Sequence, residues 1–237
     1  MNEKKILIVI PAYNEEKNIL NTINNLKKNT TLDFIVVNDG SKDSTLKILT
    51  DNQIPYINHE INKGLSESLR TGMIYAINNN YDYILQMDGD NQHNPKDIIN
   101  FSNNANNKNQ IIIGNRYKNN KKGWSLKSFA QSLISIAFKL KTGIKLIDPT
   151  NGMRLYAKDF MNAYINNHNL MVEPSTIAYL TKKLNLEVMQ VDASIKEREF
   201  GISMYNNKWR QFKYILREIS RMLSLTNHWI NKTKKEK

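Results

Sequence analysis

Two aspartates set one residue apart, Asp88 and Asp90, carry the clearest chemistry in this 237-residue chain. In extended backbone, residues i and i+2 point to the same side. Two carboxylates held together repel, and they need a cation or a shared proton. A hard divalent ion with oxygen ligands, Mg2+ or Mn2+, fits, and such an ion keeps positions open for substrate phosphates. Its work would be to neutralise charge on a departing diphosphate. Gly89, between them, lets backbone approach a ligand closely. The same spacing also serves a carboxylate turn that only caps the helical region at Pro95. A calcium loop fits poorly, because its sixth position would be His93 rather than Gly and its twelfth Ile99 rather than Glu. His93 reads as a hydrogen-bonding loop residue, not a ligand.

Two further polar strings stand in comparable places, Pro11-Ala12-Tyr13-Asn14-Glu15 and Asn38-Asp39-Gly40-Ser41. Each follows an apolar run, residues 5–10 and 34–37, as Asp88 follows residues 83–87. Such runs, ended by Pro, Gly or Asn-Asp, read as buried strands. Residues 54–57 and 110–113 are further strand candidates. Helical spacing recurs at 15–26, 44–49 and 65–77, with a helix start at 95–101. Strand and helix alternate, which predicts an α/β fold with a largely parallel central sheet. Ligands of such a sheet bind outside the carboxyl ends of the strands, so the three polar strings belong to one site. The second half is less regular. It offers an amphipathic helix over 126–140, a turn and strand over 148–156, a helix over 174–184, an extended stretch over 186–191 and a helix from 208 to about 230.

Composition narrows the class. Hydrophobic residues at 40% and charged residues at 24% are an ordinary globular balance, and the length gives one domain, or one with an extension. There is no cysteine, which excludes disulfides, thiolate metal sites and a cysteine nucleophile. The net charge of +12 implies anionic partners, either phosphorylated substrates, an acidic membrane face or nucleic acid, or else a solvated basic surface. No nucleic-acid recognition module is visible, so nucleic acid is not expected as a partner. Phosphate-loop, dinucleotide-binding and nucleophile-elbow motifs are absent. The first ten residues lack the pattern of a signal peptide, and no apolar run approaches the roughly 18 residues that span a bilayer. The expected location is cytoplasmic, peripheral at the inner face of the cell membrane.

The ordered strings resemble a known family. Val9-Ile10-Pro11-Ala12-Tyr13-Asn14-Glu15-Glu16 is similar to the opening of family 2 glycosyltransferases, which have the Rossmann-like GT-A fold. Val36-Val37-Asn38-Asp39-Gly40-Ser41-Lys42-Asp43-Ser44-Thr45 resembles their second motif, and Asn62-Lys63-Gly64 with Gly72 their third. Asp88-Gly89-Asp90-Asn91-Gln92-His93 resembles their metal motif. Gly114-Asn115-Arg116-Tyr117, Asp148-Pro149-Thr150-Asn151-Gly152-Met153-Arg154 and Glu197-Arg198-Glu199-Phe200-Gly201-Ile202-Ser203 resemble the subgroup of dolichyl-phosphate mannose synthases and bacterial polyprenyl-phosphate glycosyltransferases. The likeness covers residues 5 to 205. A glycosyltransferase domain over 1–205 and a basic amphipathic helical extension over 206–237 follow.

The resemblance implies an inverting, metal-dependent transfer of a hexose or N-acetylhexosamine from a UDP- or GDP-linked donor to a polyprenyl phosphate. It places Pro11, Ala12, Tyr13, Glu15, Asp39, Lys63, Gly64, Asp88, Gly89 and Asp90 around the nucleotide-sugar. Asp88, Asp90 and Gln92 would hold Mg2+ or Mn2+, and Asp90, Arg116 and Arg198 would serve the transfer. Lys127, Arg154 and Arg198 would face the acceptor phosphate. Asn38 stands where the second motif commonly has Asp, and Met204 where the dolichol branch has Lys; Lys208 is a candidate substitute for it. The Q-x-x-R-W motif of processive synthases is missing. An anionic phosphate needs no general base, whereas a hydroxyl acceptor does, and Glu173 is the candidate for that case. Rival readings are a soluble family 2 transferase acting on a saccharide hydroxyl and a nucleotidyltransferase. Basic, apolar-faced helices over 126–140 and beyond 208 either pack on the sheet or lie on an anionic membrane surface. A small membrane protein or a homo-oligomer is a further expected partner.

Overall fold

The chain opens on β1, Ile6–Ala12, which is buried along almost its whole length. A strand with both faces covered reads as an unbroken apolar run rather than an alternating one, and ILIVIPA is such a run. Its side chains still part by alternation. Leu7 and Val9 enter one hydrophobic cluster, and Ile6, Ile8, Ile10 and Ala12 enter the other. The computed structural model describes residues 4–117, 126–196 and 208–224. After β1 come α1 (Ile19–Asn29), β2 (Asp33–Asn38), α2 (Thr45–Asp51), β3 (Tyr56–Asn58), α3 (Leu65–Asn78) and β4 (Tyr83–Gln86). A single 3-10 turn, Pro95–Asp97, leads into α4 (Ile98–Asn104), then β5 (Gln110–Asn115) and α5 (Leu126–Thr142). The remainder is β6 (Arg154–Ala157), α6 (Lys158–Ile165), α7 (Pro174–Leu184), β7 (Glu187–Asp192) and α8 (Lys208–Ser224).

These strands form one seven-stranded sheet in the order β3-β2-β1-β4-β6-β5-β7. All run in one direction except β6, which pairs antiparallel with β4 and β5. The expected largely parallel α/β sheet is therefore present. Helix α3 covers one face, closely: a Cβ on Gly72 would lie 2.4 Å from Cγ1 of Val9, so only glycine allows this approach of helix to strand. Helices α6 and α7 share that face, while α1, α2 and α4 cover the other. Helix α6 was not among the helices expected from the sequence. It starts directly after β6, with Ala157 both ending the strand and capping the helix. No turn residue punctuates the change.

Helix α8 packs on α5 and α7. Met222 is fully buried, and Tyr214, Ile215 and Ile219 lie against the core. One face of α8 is thus committed to packing, as are Ala130, Ile134, Ala137 and Phe138 of α5. Phe129, Ile136 and Leu140 of α5 and Leu216 and Leu223 of α8 stay exposed. Among the described residues no helix is long and apolar enough to cross a membrane.

Candidate active site

The carboxyl ends of β1, β2 and β4 meet at one rim. Pairing carries on past the strands: Asp39 N donates to Ala12 O (2.8 Å) and Met87 N to Val9 O (3.1 Å). The loops after β1 and β2 are laced together by side chains on backbone amides. Asn14 N donates to Ser41 Oγ (3.0 Å), Lys42 N to Asn14 Oδ1 (2.8 Å), Glu15 N to Thr45 Oγ1 (2.8 Å) and Ser44 N to Glu16 Oε2 (3.0 Å). A cleft of about 420 Å³ opens here, lined by residues 14–18 with Lys42 and Asp43. Tyr13 is exposed beside it, while the Glu15 carboxylate accepts from Asn18 Nδ2 (2.7 Å). A cleft of similar size between α6 and α7 contains none of the rim residues.

Asp39 is buried and organises the third loop. It accepts from Lys63 N (2.9 Å) and Gly64 N (2.7 Å), and His59 Nδ1 lies 2.8 Å away. Burial pushes its pKa up, but the His59 contact and the two backbone donors outweigh this and hold it below the ordinary value. Lys63 itself is exposed. Asp39 therefore joins the end of β2 to the start of α3.

Asp88 and Asp90 follow β4 at the same rim, both partly exposed. Asp88 has no lysine or arginine partner among the described residues; its neighbours are His93 Nε2 on Oδ2 and Gln86 Nε2 on Oδ1, each at 3.5 Å. Asp90 Oδ1 accepts from Gln92 N (3.1 Å). The Gln92 amide nitrogen is spent on Lys196 O (3.1 Å), which leaves the amide oxygen as the end that can ligate. Two carboxylates and an amide oxygen are a hard, all-oxygen set, and a Mg2+-like ion is held by one or two carboxylates plus substrate phosphates. The residues present therefore fit Mg2+ or Mn2+. Gly89 packs inward, its ideal Cβ position lying 3.2 Å from Pro11 O, and its own carbonyl accepts from Thr22 Oγ1 (3.0 Å).

Because β6 runs backwards, the loop before it reaches the same rim. Asp148 of that loop is fully buried and grips Arg116 at the end of β5 with two parallel bonds, Nε to Oδ2 (2.6 Å) and Nη2 to Oδ1 (2.7 Å). Burial alone would lower the Arg116 pKa, but the Asp148 bonds and charge more than offset that. Its Nη1 has no hydrogen-bond partner among the described residues. Arg154 lies inside. It is buried and donates to the carbonyls of Asn151 (2.6 Å) and Pro149 (3.1 Å), so it shapes the loop that holds Asp148. At Gly152 a Cβ would sit 2.7 Å from Asp88 Oδ2, so a side chain there would displace the carboxylate that the loop passes over.

Glu173 has both carboxylate oxygens occupied, by Arg217 Nη2 (2.7 Å) and Arg221 Nη1 (2.8 Å). Lys127 falls within α5, but its side chain lies outside the described residues, as do Arg198, its motif at 197–203, and Met204. Sequence reasoning did not assign Asp148, Gly152, Gln86 or His59. Gln86 had a signal, since it stands two residues before Asp88 and so on the same side of an extended chain. His59 had none.

The family model described as "Glycosyl transferase family 2" matches residues 7–165. A UDP-N-acetylglucosamine–dolichyl-phosphate N-acetylglucosaminyltransferase of Methanococcus voltae is 28% identical, over 92% of this chain and 96% of that protein. An undecaprenyl-phosphate mannosyltransferase of Micrococcus luteus is 24% identical, over 84% and 86%. Among solved structures, glucosyl-3-phosphoglycerate synthase of Mycobacterium tuberculosis with phosphoglyceric acid superposes with a TM-score of 0.70 at 16% identity, over 94% of this chain and 82% of that one. The same synthase with Mn2+, UDP and glucosyl-3-phosphoglycerate gives 0.65 at 15% identity, over 94% and 82%. These structures share the fold.

Proposed function

Since the chain belongs to glycosyl transferase family 2, we propose that it moves a sugar, with inversion, from a UDP- or GDP-linked donor to a polyprenyl phosphate at an anionic membrane face. The observation that carries this is the shared rim: one loop before β6 holds Arg116 through Asp148 and passes over Asp88 at Gly152, which brings the arginine and the aspartate pair to the same end of the sheet. The cleft beside Glu15 and Lys42 takes the nucleoside. Asp88, Asp90 and Gln92 hold Mg2+ or Mn2+, which when bound offsets charge on the leaving diphosphate. Arg116 binds and orients a phosphate oxygen, while Arg154 keeps the rim loop in place. Arg198 and Lys127 remain candidates for the acceptor phosphate.

A phosphate acceptor is favoured by the state of Glu173. Two guanidinium groups occupy its carboxylate, so it is not free to take a proton from an attacking hydroxyl. Polyprenyl phosphates also figure in the names of the Methanococcus voltae and Micrococcus luteus relatives. The test is transfer of labelled sugar from a panel of UDP- and GDP-sugars to undecaprenyl phosphate in detergent with Mg2+ or Mn2+. Label in the organic phase, reduced at least ~100-fold by Asp90→Ala, is the expected result, a loss of about 3 kcal/mol or more in transition-state stabilisation. Label that passes only to a saccharide would move the acceptor to a hydroxyl.

A further inference from the structure

Asp88 is flanked by two buried polar side chains that the transfer itself does not use. We propose that His93 and Gln86 are positioning residues that aim the Asp88 carboxylate at the divalent ion, an inference that rests on the metal-dependent reading above. His93 Nε2 faces Oδ2 and Gln86 Nε2 faces Oδ1, both at 3.5 Å. Contacts of that length are at the outer limit for hydrogen bonds, and in catalytic sites such bonds tighten when the ligand arrives.

Three observations single out this pair. His93 is buried, and its Nδ1 has no hydrogen-bond partner among the described residues. An orphaned buried nitrogen is costly, so a ring that only filled space would be better replaced by an apolar one. What Nε2 does for Asp88 offsets that cost. Gln86 is also buried, and its Oε1 accepts from the Tyr156 hydroxyl (3.1 Å). That bond fixes which end of the amide turns to Asp88: the nitrogen. Gly152 closes the slot, because a Cβ there would lie 2.7 Å from Asp88 Oδ2 and 3.4 Å from His93 Nε2 and would push the two apart. The carboxylate is thus held from both sides with no side chain over it. Outer partners of this kind orient a metal ligand without touching the metal.

The experiment is Mn2+ binding followed by electron paramagnetic resonance, with UDP and in parallel with GDP, on the full chain and on His93→Phe, His93→Gln and Gln86→Leu, each checked by thermal melting. His93→Phe and Gln86→Leu are expected to weaken Mn2+ binding by about 10-fold or more, and His93→Gln, whose amide nitrogen reaches the place of Nε2, to stay within about threefold. Unchanged Mn2+ affinity in His93→Phe and Gln86→Leu, with only a lower melting temperature, would show that the pair merely packs. Equal weakening in His93→Gln and His93→Phe would remove the role of Nε2. Should His93→Phe not fold, Gln86→Leu and His93→Gln decide the matter. Failure of the unaltered protein to bind Mn2+ with either nucleotide would instead overturn the metal reading itself.

Discussion

Asp148 gives both carboxylate oxygens to the guanidinium of Arg116, in a fork that a lysine cannot reproduce. Arg116→Lys keeps the charge but loses the geometry. We expect kcat/KM for sugar transfer to fall by about 10- to 100-fold, the equivalent of one charge-assisted hydrogen bond at ~1.5–3 kcal/mol. A steady-state assay at saturating metal checks this, and a change under twofold would mean that Arg116 serves only the loop. The two residues were unequally legible. Arg116 was singled out through the resemblance of its string, Gly114-Asn115-Arg116-Tyr117, to the polyprenyl-phosphate subgroup. Asp148 was visible only as the first residue of a longer string, because contacts between distant positions leave no mark in local spacing. The same holds for Arg154, for which the resemblance implied an acceptor-phosphate contact and which the structure shows buried on backbone carbonyls.

At the scale of elements, the join between α7 and α8 encloses a buried carboxyl group. Glu218 of α8 is buried, accepts from Ser175 N (3.1 Å) at the start of α7, and adjoins Glu173. Burial first, and then the Glu173 hydrogen bond and charge, push its pKa up to about 8 from an ordinary 4.5. A group raised in the folded state takes up protons on folding between those two values. Its stabilising contribution is complete below pH 4.5, declines as pH rises and is gone above about 8. The expectation is that Glu218→Gln melts at increasingly higher temperature than the unaltered chain as pH goes from 5 to about 8, and that the gap then levels off. A constant gap would place the proton elsewhere. Elements themselves were largely legible: the apolar run of β1, the alternation through β4 and the helix α3 all follow from periodicity. The reversal of β6 was not, because strand direction depends on partners far along the chain. Helix α6 escaped because Ala157 passes from strand to helix with no turn residue between.

For the whole molecule, a net charge of +12 accompanies exposed apolar side chains on α5 and α8. Phe129, Ile136 and Leu140 recur at helical spacing on the outer side of α5, next to the exposed Lys139, and Leu216 and Leu223 on α8 accompany Lys213 and Arg217. Under the proposed reading this surface meets anionic lipid. Each basic residue near such a surface adds about 1 kcal/mol, within a screening length of ~8 Å at physiological salt. Co-sedimentation with vesicles containing phosphatidylglycerol should therefore exceed that with neutral vesicles and drop in 1 M salt. Equal binding to both vesicle types would leave the charge without a membrane role.

The reversed strand has a consequence for the chain while it is being made. Strands β1 to β4 are complete once Gln86 has been synthesised, yet the outer edge of β4 pairs only with β6, which ends at Ala157. At ~5–20 residues per second, that edge waits about 4 to 14 s for its partner. An unpaired apolar strand edge is a template for aggregation, and YILQ carries no charge to guard it. A ribosome-tethered fragment that stops between β5 and β6 should accordingly bind a chaperone more strongly than one extended through α6.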